Sequence, residues 1–258
     1  MSKRPLTTVQ TLVMLGADRL EEEVSMGRHD LSGRAALVTG GARGLGAGMA
    51  EALADAGAAV VIADVREDLG RATADALERT GATAAFVPLD VTDDASWERG
   101  VSATIDRLGG LDVVVNNADV EISGLLADLD PADVRRMLDV NVLGTALGIK
   151  HAFRAMRPGG PAGKGGAVVN IASVAATIAF PGIAGYSATK SAVDRLTRVA
   201  AMEAGKLGYD VRVNCVYPGL ASPGPDASDL ADAVVFLASD AARFVTGAGL
   251  PVDGDMGA

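Results

Sequence analysis

The segment AALVTGGARGLGAGMAEALADAGAAVVIAD, residues 35–64, decides the fold of this chain. It opens with an apolar run, continues with a glycine-rich turn at 39–46, and has a helical pattern from there to Ala56. A second apolar run then ends at Asp64. A strand, a glycine turn, a helix and a second strand in this order predict a βαβ unit with two parallel strands.

The rest of the chain continues this alternation of apolar runs and helix-length segments. Further strands are predicted at 84–88, 111–115, 167–172, 211–216 and 250–252, and further helices at 68–80, 94–108, 131–156, 186–207 and 230–239. Unbroken apolar strands between helices are typical of a parallel sheet that is covered on both faces. We therefore predict an α/β fold with a doubly wound parallel sheet, built as a single domain over 31–258, with residues 1–30 as an N-terminal extension.

The composition limits the possible classes of function. The 23 basic and 33 acidic residues give a net charge of −10, which disfavours nucleic acid and anionic membranes as partners. The only cysteine, Cys215, cannot form a disulfide within the chain, which favours a reducing cytoplasm. No apolar run approaches the ~18 residues of a membrane-spanning helix. His29 and His151 show no metal-ligand spacing, so we expect no metal site.

The glycine turn predicts a dinucleotide site. Gly40, Gly44 and Gly46 permit a sharp turn that brings backbone N–H groups to a pyrophosphate at a helix N-terminus. Asp64 comes 64 − 46 = 18 residues after the last glycine, where a carboxylate accepts hydrogen bonds from ribose hydroxyls; its alternative role is a strand-end cap. Arg43 would suit the 2′-phosphate of NADP, but Asp64 would repel that phosphate, so we predict NAD rather than NADP.

A second candidate site lies on the predicted helix 186–207. Tyr186 and Lys190 are four residues apart and therefore share one helix face. A nearby ammonium favours the phenolate and lowers the pKa of a phenol, which makes the pair an acid/base device. Ser173, after the strand before, would present its hydroxyl to the same place. Without other motifs, such a pair is more often a ring at the edge of the core and a solvated charge.

Together these residues resemble the short-chain dehydrogenase/reductase family, in its single-domain form with a Rossmann-type fold, over about residues 31–258. The matching motifs are Thr39-Gly40-x-x-x-Gly44-x-Gly46, Asn116-Asn117-Ala118, the tetrad Asn141, Ser173, Tyr186 and Lys190, then Pro218-Gly219 and Val252-Asp253-Gly254. The family resemblance also implies a homotetramer, with the helices near 131–156 and 186–207 packed across its dyads.

The resemblance implies a role for each matched residue. Tyr186 would be the general acid/base, Lys190 would lower the pKa of the phenol and bind the nicotinamide ribose, and Ser173 would bind the substrate oxygen. Asn141 would hold a water in a proton relay to Lys190; its alternative role is a polar residue that kinks the helix. The implied cofactor contacts are Gly40, Arg43, Gly44, Leu45, Gly46, Asp64, Asp90 and Val91 beside the adenine, Asn117, Tyr186, Lys190, Pro218 and Gly219.

The sequence departs from the family pattern at two places. Asp119 stands where the family usually has glycine, which predicts an extra carboxylate near the cofactor or the mouth of the site; the alternative is an exposed loop acid. The family also carries a longer helical lid after the Pro218-Gly219 motif, whereas here only 220–228 precede the next helical run. This short segment predicts either a lost lid or a lid absent from the sequence as given.

These patterns predict an NAD-dependent enzyme that interconverts a secondary alcohol and a ketone. Similar sequences act on cyclic, apolar substrates such as steroids, terpenoids and alicyclic alcohols. A 3-oxoacyl-thioester reductase is the alternative enzyme, but Asp64 and the acidic pI of about 4.7 argue against its usual NADPH and basic docking surface. A catalytically weakened nucleotide-binding protein is the non-enzyme alternative: the short lid favours it and the complete tetrad opposes it.

Overall fold

A seven-stranded sheet forms the centre of the computed structural model, which describes residues 27, 29–219, 227–254 and 256. The strands are β1 (Ala35–Thr39), β2 (Ala59–Asp64), β3 (Ala84–Pro88), β4 (Val113–Asn116), β5 (Gly166–Ile171), β6 (Val211–Pro218) and β7 (Gly249–Val252). The helices are α1 (Gly44–Asp55), α2 (Glu67–Arg79), α3 (Asp94–Leu108), α4 (Pro131–Met137), α5 (Gly144–Met156), α6 (Ala184–Leu207) and α7 (Ala227–Ala238). Every neighbouring pair of strands is parallel.

The strands are apolar throughout because both faces of the sheet are covered. All five residues of β1 are buried, and successive side chains enter opposite cores. Ala36 and Val38 pack in one core with α1, α2 and α7. Leu37 packs in the other core with α3, α5 and α6, around the fully buried Trp97. The prediction of a doubly wound α/β sheet is therefore confirmed.

In the strand order β3-β2-β1-β4-β5-β6-β7, the chain adds strands to one side of β1 up to β3 and to the other side from β4 onward. The point at which the order of strands reverses therefore lies between β1 and β4. In open α/β sheets, ligands bind in the crevice beyond the carboxyl ends of the strands at such a reversal. The glycine turn follows β1 and the Asn116-Asn117-Ala118 motif follows β4, so both lie at this crevice.

Two differences between the predicted elements and the structure affect the site, and the bounds of the other predicted elements agree to within three residues. The helix predicted over 131–156 is interrupted by a π-helical turn, Leu138–Leu143, which holds the buried Asn141. Such turns insert a residue into the helix and are frequent at functional sites. The strand predicted over 211–216 continues to Pro218, because its final residues pair with β7.

Some predictions fall on residues that the structure does not describe. Most of the N-terminal extension, residues 1–26 and 28, lies outside the described residues, as does most of the shortened segment, 220–226. Within the described part of the chain, no helix is long and apolar enough to cross a membrane. The same residues contain no group of His, Cys, Asp or Glu side chains placed to hold a metal ion.

Candidate active site

The glycine turn between β1 and α1 has the geometry of an anion site. Gly40 adopts φ +63°, and a Cβ there would lie 2.9 Å from the Ala118 Cα, so only glycine fits. The exposed Arg43 is the N-cap residue of α1, and among the described residues no side-chain capping hydrogen bond is formed there. The first N–H groups of α1 are thus available to a phosphate. Leu45 is 43% exposed beside them.

Asp64, at the end of β2, links the glycine turn to the start of α2. It is 5% exposed, and its carboxylate accepts hydrogen bonds from the Ala42 N–H at 3.2 Å and the Arg66 N–H at 2.9 Å. The Arg66 side chain donates a further bond through Nε at 3.3 Å. The alternative role predicted for Asp64, a cap at the strand end, is therefore present, and the carboxylate also lies at the cofactor crevice.

The residues that follow β3 and β4 lie at the same edge of the sheet as the glycine turn. Asp90 is exposed and accepts hydrogen bonds from the Thr92 N–H and hydroxyl, while Val91 is buried. Asn117 does not leave its amide free: its Nδ2 donates to the carbonyls of Thr39, at 2.9 Å, and Gly40, at 3.2 Å. This side chain therefore holds the glycine turn against β4.

The end of β6 completes this edge of the sheet. Pro218 is its last residue, and Gly219 follows with its N–H bonded to the Val252 carbonyl at 3.2 Å. The two motifs that the sequence places far apart, at 218–219 and 252–254, are therefore neighbours at the carboxyl end of the sheet.

Tyr186 and Lys190 lie on the first turns of α6, and both are buried, with 6% and 2% of their surface exposed. The Lys190 ammonium lies 5.4 Å from the centre of the Tyr186 ring. Ser173 follows β5 and caps a short turn by accepting the Ala175 N–H at 3.1 Å. These residues are not a core-edge ring and a solvated charge, because the ammonium is inside the protein.

Asp119 closes the group from the β4 side. Its Oδ2 accepts the Tyr186 hydroxyl at 3.1 Å, and its Oδ1 lies 3.0 Å from the Lys190 Nζ, which also donates to the Ile171 carbonyl at 2.9 Å. Asp119 is an exposed residue, as the alternative of a loop acid predicts, but its side chain, which is 31% exposed, also contacts both residues of the acid/base pair.

Asn141 lies beside this group without contacting Lys190. Its Oδ1 accepts the Val120 N–H at 2.9 Å, and its Nδ2 donates to the Val120 carbonyl at 2.9 Å and the Thr189 hydroxyl at 3.0 Å. Thr189 in turn donates to the Tyr186 carbonyl at 2.7 Å. Asn141 therefore connects the segment after β4 to the helix that carries Tyr186.

The expectation that Lys190 lowers the pKa of Tyr186 is not met in this structure. Burial raises the pKa of the phenol well above its ordinary value, and the negative charges of Asp119 and Glu121 raise it further. The hydrogen bond to Asp119 also favours the neutral phenol, while Ser173 acts in the opposite direction. Because the Lys190 ammonium also pairs with Asp119, the carboxylate offsets the effect of its positive charge on the phenol.

Known proteins are similar to this chain in sequence and in fold. The profile of the short chain dehydrogenase family matches residues 34–231. The trans-4-hydroxycyclohexanecarboxylate dehydrogenase of Sinomonas cyclohexanicum is 41% identical over 86% of this chain and 92% of its own. The 3-alpha-(or 20-beta)-hydroxysteroid dehydrogenase of Mycobacterium bovis is 36% identical over 87% and 89%. A short-chain type dehydrogenase/reductase from Mycobacterium marinum superposes with a TM-score of 0.83, at 31% identity over 88% of this chain and 96% of its own.

The chain thus belongs to the short-chain dehydrogenase/reductase family. It is an oxidoreductase that acts on CH–OH groups with NAD(H) or NADP(H). The glycine turn, the uncapped start of α1 and the carboxylate at the end of β2 fit such a dinucleotide.

One residue and one contact of the site were not predicted from the sequence. Arg66 is an unpredicted cation at the cofactor crevice, and its position two residues after Asp64 is the only signal that the sequence offers. The contact between Asp119 and Tyr186 joins residues 67 positions apart, so no local pattern indicates it.

Proposed function

We propose that this protein interconverts a secondary alcohol on a largely apolar ring and the corresponding ketone, with NAD(H) as the cofactor. The observation that carries the proposal is the buried pair of Tyr186 and Lys190, next to Ser173, at the same sheet edge as the glycine turn. A proton donor and a dinucleotide site must lie together if one carbon is to exchange hydride while its oxygen exchanges a proton.

Each residue of the pair has a distinct task in this proposal. The Tyr186 hydroxyl gives its proton to the carbonyl oxygen during reduction and takes it back during oxidation. Ser173 binds the same oxygen, and Lys190 supplies positive charge that stabilises the phenolate when it forms. Asn141 holds Val120 and Thr189, and through them the positions of Asp119 and Tyr186. When bound, the nicotinamide supplies the hydride chemistry.

The environment of Asp64 supports NAD(H) over NADP(H). The carboxylate is 5% exposed, so a 2′-phosphate beside it would meet a poorly solvated negative charge. Arg66 partly offsets this charge, since its Nε already binds Asp64 at 3.3 Å. Ribose hydroxyls can instead donate to the carboxylate, and charge-assisted bonds of this kind are the stronger ones.

The proposed substrate class draws on the surroundings of Tyr186 and on the relatives. Val120, Ile122 and Phe180 are partly buried apolar residues that pack around the Tyr186 cluster. The relatives from Sinomonas cyclohexanicum and Mycobacterium bovis are named for a hydroxycyclohexane acid and for hydroxysteroids, and one from Salvia officinalis for borneol. All three names describe ring alcohols.

The test is to follow NADH formation when the purified protein receives NAD⁺ and trans-4-hydroxycyclohexanecarboxylate, a hydroxysteroid or borneol. We expect turnover with at least one ring alcohol and reduction of its ketone with NADH. A 3-oxoacyl thioester serves as the competing substrate. Faster reduction of that thioester, or turnover of neither class, would contradict the proposed function.

We propose that the functional form is a homotetramer, as the family resemblance implies. Adjacent helical surfaces expose apolar residues: Leu138 and Leu143 in the π turn and Val199, Met202 and Leu207 on α6. The edge strand β7 offers a second surface, and Phe244, five residues before this strand in the sequence, is 99% exposed. Two different surfaces are what a tetramer of paired dimers requires. Light scattering should give four chains, and Met202→Glu should reduce that number.

A further inference from the structure

The segment that carries Asp119 is fixed on both sides. Before it, the Ala118 N–H donates to the Thr39 hydroxyl at 3.1 Å. After it, both backbone groups of Val120 are bound by the Asn141 amide at 2.9 Å. Hydrogen bonds to the residues on either side therefore restrain the backbone that carries the Asp119 carboxylate.

Both oxygens of Asp119 are used within the acid/base group. One accepts the Tyr186 hydroxyl at 3.1 Å and the other pairs with the Lys190 ammonium at 3.0 Å. Lys190 is 2% exposed, so its charge has little water to screen it and needs a partner. The carboxylate is 31% exposed and keeps one side toward solvent.

The charged groups that act on Tyr186 include two carboxylates and one ammonium. Lys190 faces the ring from one turn further along α6, Asp119 from the segment after β4, and Glu121 acts from the same segment at longer range. Ser173 adds a neutral hydroxyl from the segment after β5. A phenolate in this position would form beside a carboxylate that already occupies the ammonium.

We propose that Asp119 is a positioning residue of the active site that keeps Tyr186 protonated and offsets the charge of Lys190. The proposal rests on the proposed function, in which Tyr186 exchanges the substrate proton. Oxidation of an alcohol requires the phenol as a base, and reduction of a ketone requires it as an acid. Because Asp119 keeps the phenol protonated, the rate of alcohol oxidation should begin to rise only at a higher pH than it would without this carboxylate. Near neutral pH, the protonated phenol favours reduction of the ketone.

The test replaces Asp119 by asparagine, which keeps the shape and a hydrogen-bond acceptor but removes the charge. The midpoint of the rise of kcat/KM for alcohol oxidation with pH should fall by at least about one pH unit. Glu121→Gln is the matched control, because it removes a carboxylate that acts only at longer range. Its midpoint should fall by less, and an equal or larger fall in the control would overturn the assignment to Asp119.

A measurement without cofactor or substrate separates this proposal from the proposed function. The chain has three tyrosines, Tyr186, Tyr209 and Tyr217, so ¹³Cζ-tyrosine NMR signals can be assigned with single Tyr→Phe variants. In Asp119→Asn, the Tyr186 carbon signal should begin to titrate at lower pH than in the wild type. A signal as resistant to high pH as that of the wild type would overturn the proposal.

The NMR and turnover measurements distinguish a failure of the role of Asp119 from a failure of the proposed function. If the NMR signal responds but no ring alcohol or ketone is turned over, the coupling between Asp119 and Tyr186 holds and the proposed function fails. If turnover is present and the pH dependence of Asp119→Asn equals that of the wild type, the proposed function holds and the role of Asp119 is refuted.

Discussion

The side-chain amide of Asn141 binds both backbone groups of Val120, at 2.9 Å each, and holds them as a neighbouring strand would. It does so from a π-helical turn, which directs the side chain between the segment after β4 and the start of α6. Its third bond, to the Thr189 hydroxyl, reaches the helix of Tyr186. One buried amide therefore links the backbone next to Asp119 to the helix that carries Tyr186.

Removing this amide should lower both stability and activity. Asn141→Ala leaves the N–H and carbonyl of Val120 without partners, and each such group costs roughly 1–3 kcal/mol when buried. We expect a decrease of about 2–4 kcal/mol in the free energy of unfolding, measured with urea. Thr189→Val is the comparison: it removes only one of the three contacts of Asn141, together with the bond from Thr189 to the Tyr186 carbonyl, and should cost less. An Asn141→Ala protein as stable as the wild type would contradict this account of the site.

Removing the phenol hydroxyl should abolish turnover and spare cofactor binding. Tyr186→Phe keeps the ring in its apolar cluster but removes the proton that the carbonyl oxygen needs. Loss of a general acid/base typically costs about 10²–10⁴-fold in rate. Tyr209→Phe is the matched control, because Tyr209 packs against Phe153, away from the site. Substantial turnover by Tyr186→Phe, measured as NADH formation, would remove Tyr186 from its assigned role.

The sequence predicted those parts of the site that depend on short spacings. The turn after β1, the carboxylate at the end of β2 and the helical pair of Tyr186 and Lys190 are each set by residues close in the chain. The contact between Asp119 and Tyr186 depends on how β4, β5 and α6 pack together, which no local pattern contains. The π turn was also missed, because apolar periodicity does not reveal one inserted residue.

The prediction of a lowered pKa for Tyr186 shows the same limit. The spacing of Tyr186 and Lys190 correctly indicated that an ammonium lies near the phenol. It could not show that both would be buried, or that Asp119 would pair with the ammonium. Burial and a third charge decide the direction of the shift, and both follow from the tertiary structure.

The environment of Asp64 predicts a preference for NAD(H). Binding measured by calorimetry should be at least about tenfold tighter for NADH than for NADPH, since one charge-assisted hydrogen bond contributes about 1.5–3 kcal/mol. Asp64→Ala should narrow this difference by removing the repulsive carboxylate and releasing Arg66. Arg66→Ala in the same background should widen it again. Equal or tighter binding of NADPH by the wild type would mean that Arg43 or Arg66 outweighs Asp64.

Two glycine substitutions should change stability in opposite directions. Gly40→Ala places a side chain at φ +63° with its Cβ 2.9 Å from the Ala118 Cα, so the turn must shift at a cost of about 1–3 kcal/mol. If the N–H groups at the start of α1 bind the pyrophosphate as proposed, this shift would also misplace them, and the affinity for NADH should fall. Gly205→Ala is the matched control, because Gly205 lies exposed within α6 with open space around the new Cβ.

Alanine is favoured over glycine inside a helix, so Gly205→Ala should raise the free energy of unfolding by about 0.5–1 kcal/mol and leave NADH binding unchanged. Urea unfolding and NADH titration of both variants provide the comparison. The two variants add the same methyl group to the same chain, so a general effect of added bulk would act alike in both. If Gly40→Ala were as stable as the wild type and bound NADH equally well, the glycine turn would not pack against Ala118 as closely as the structure shows.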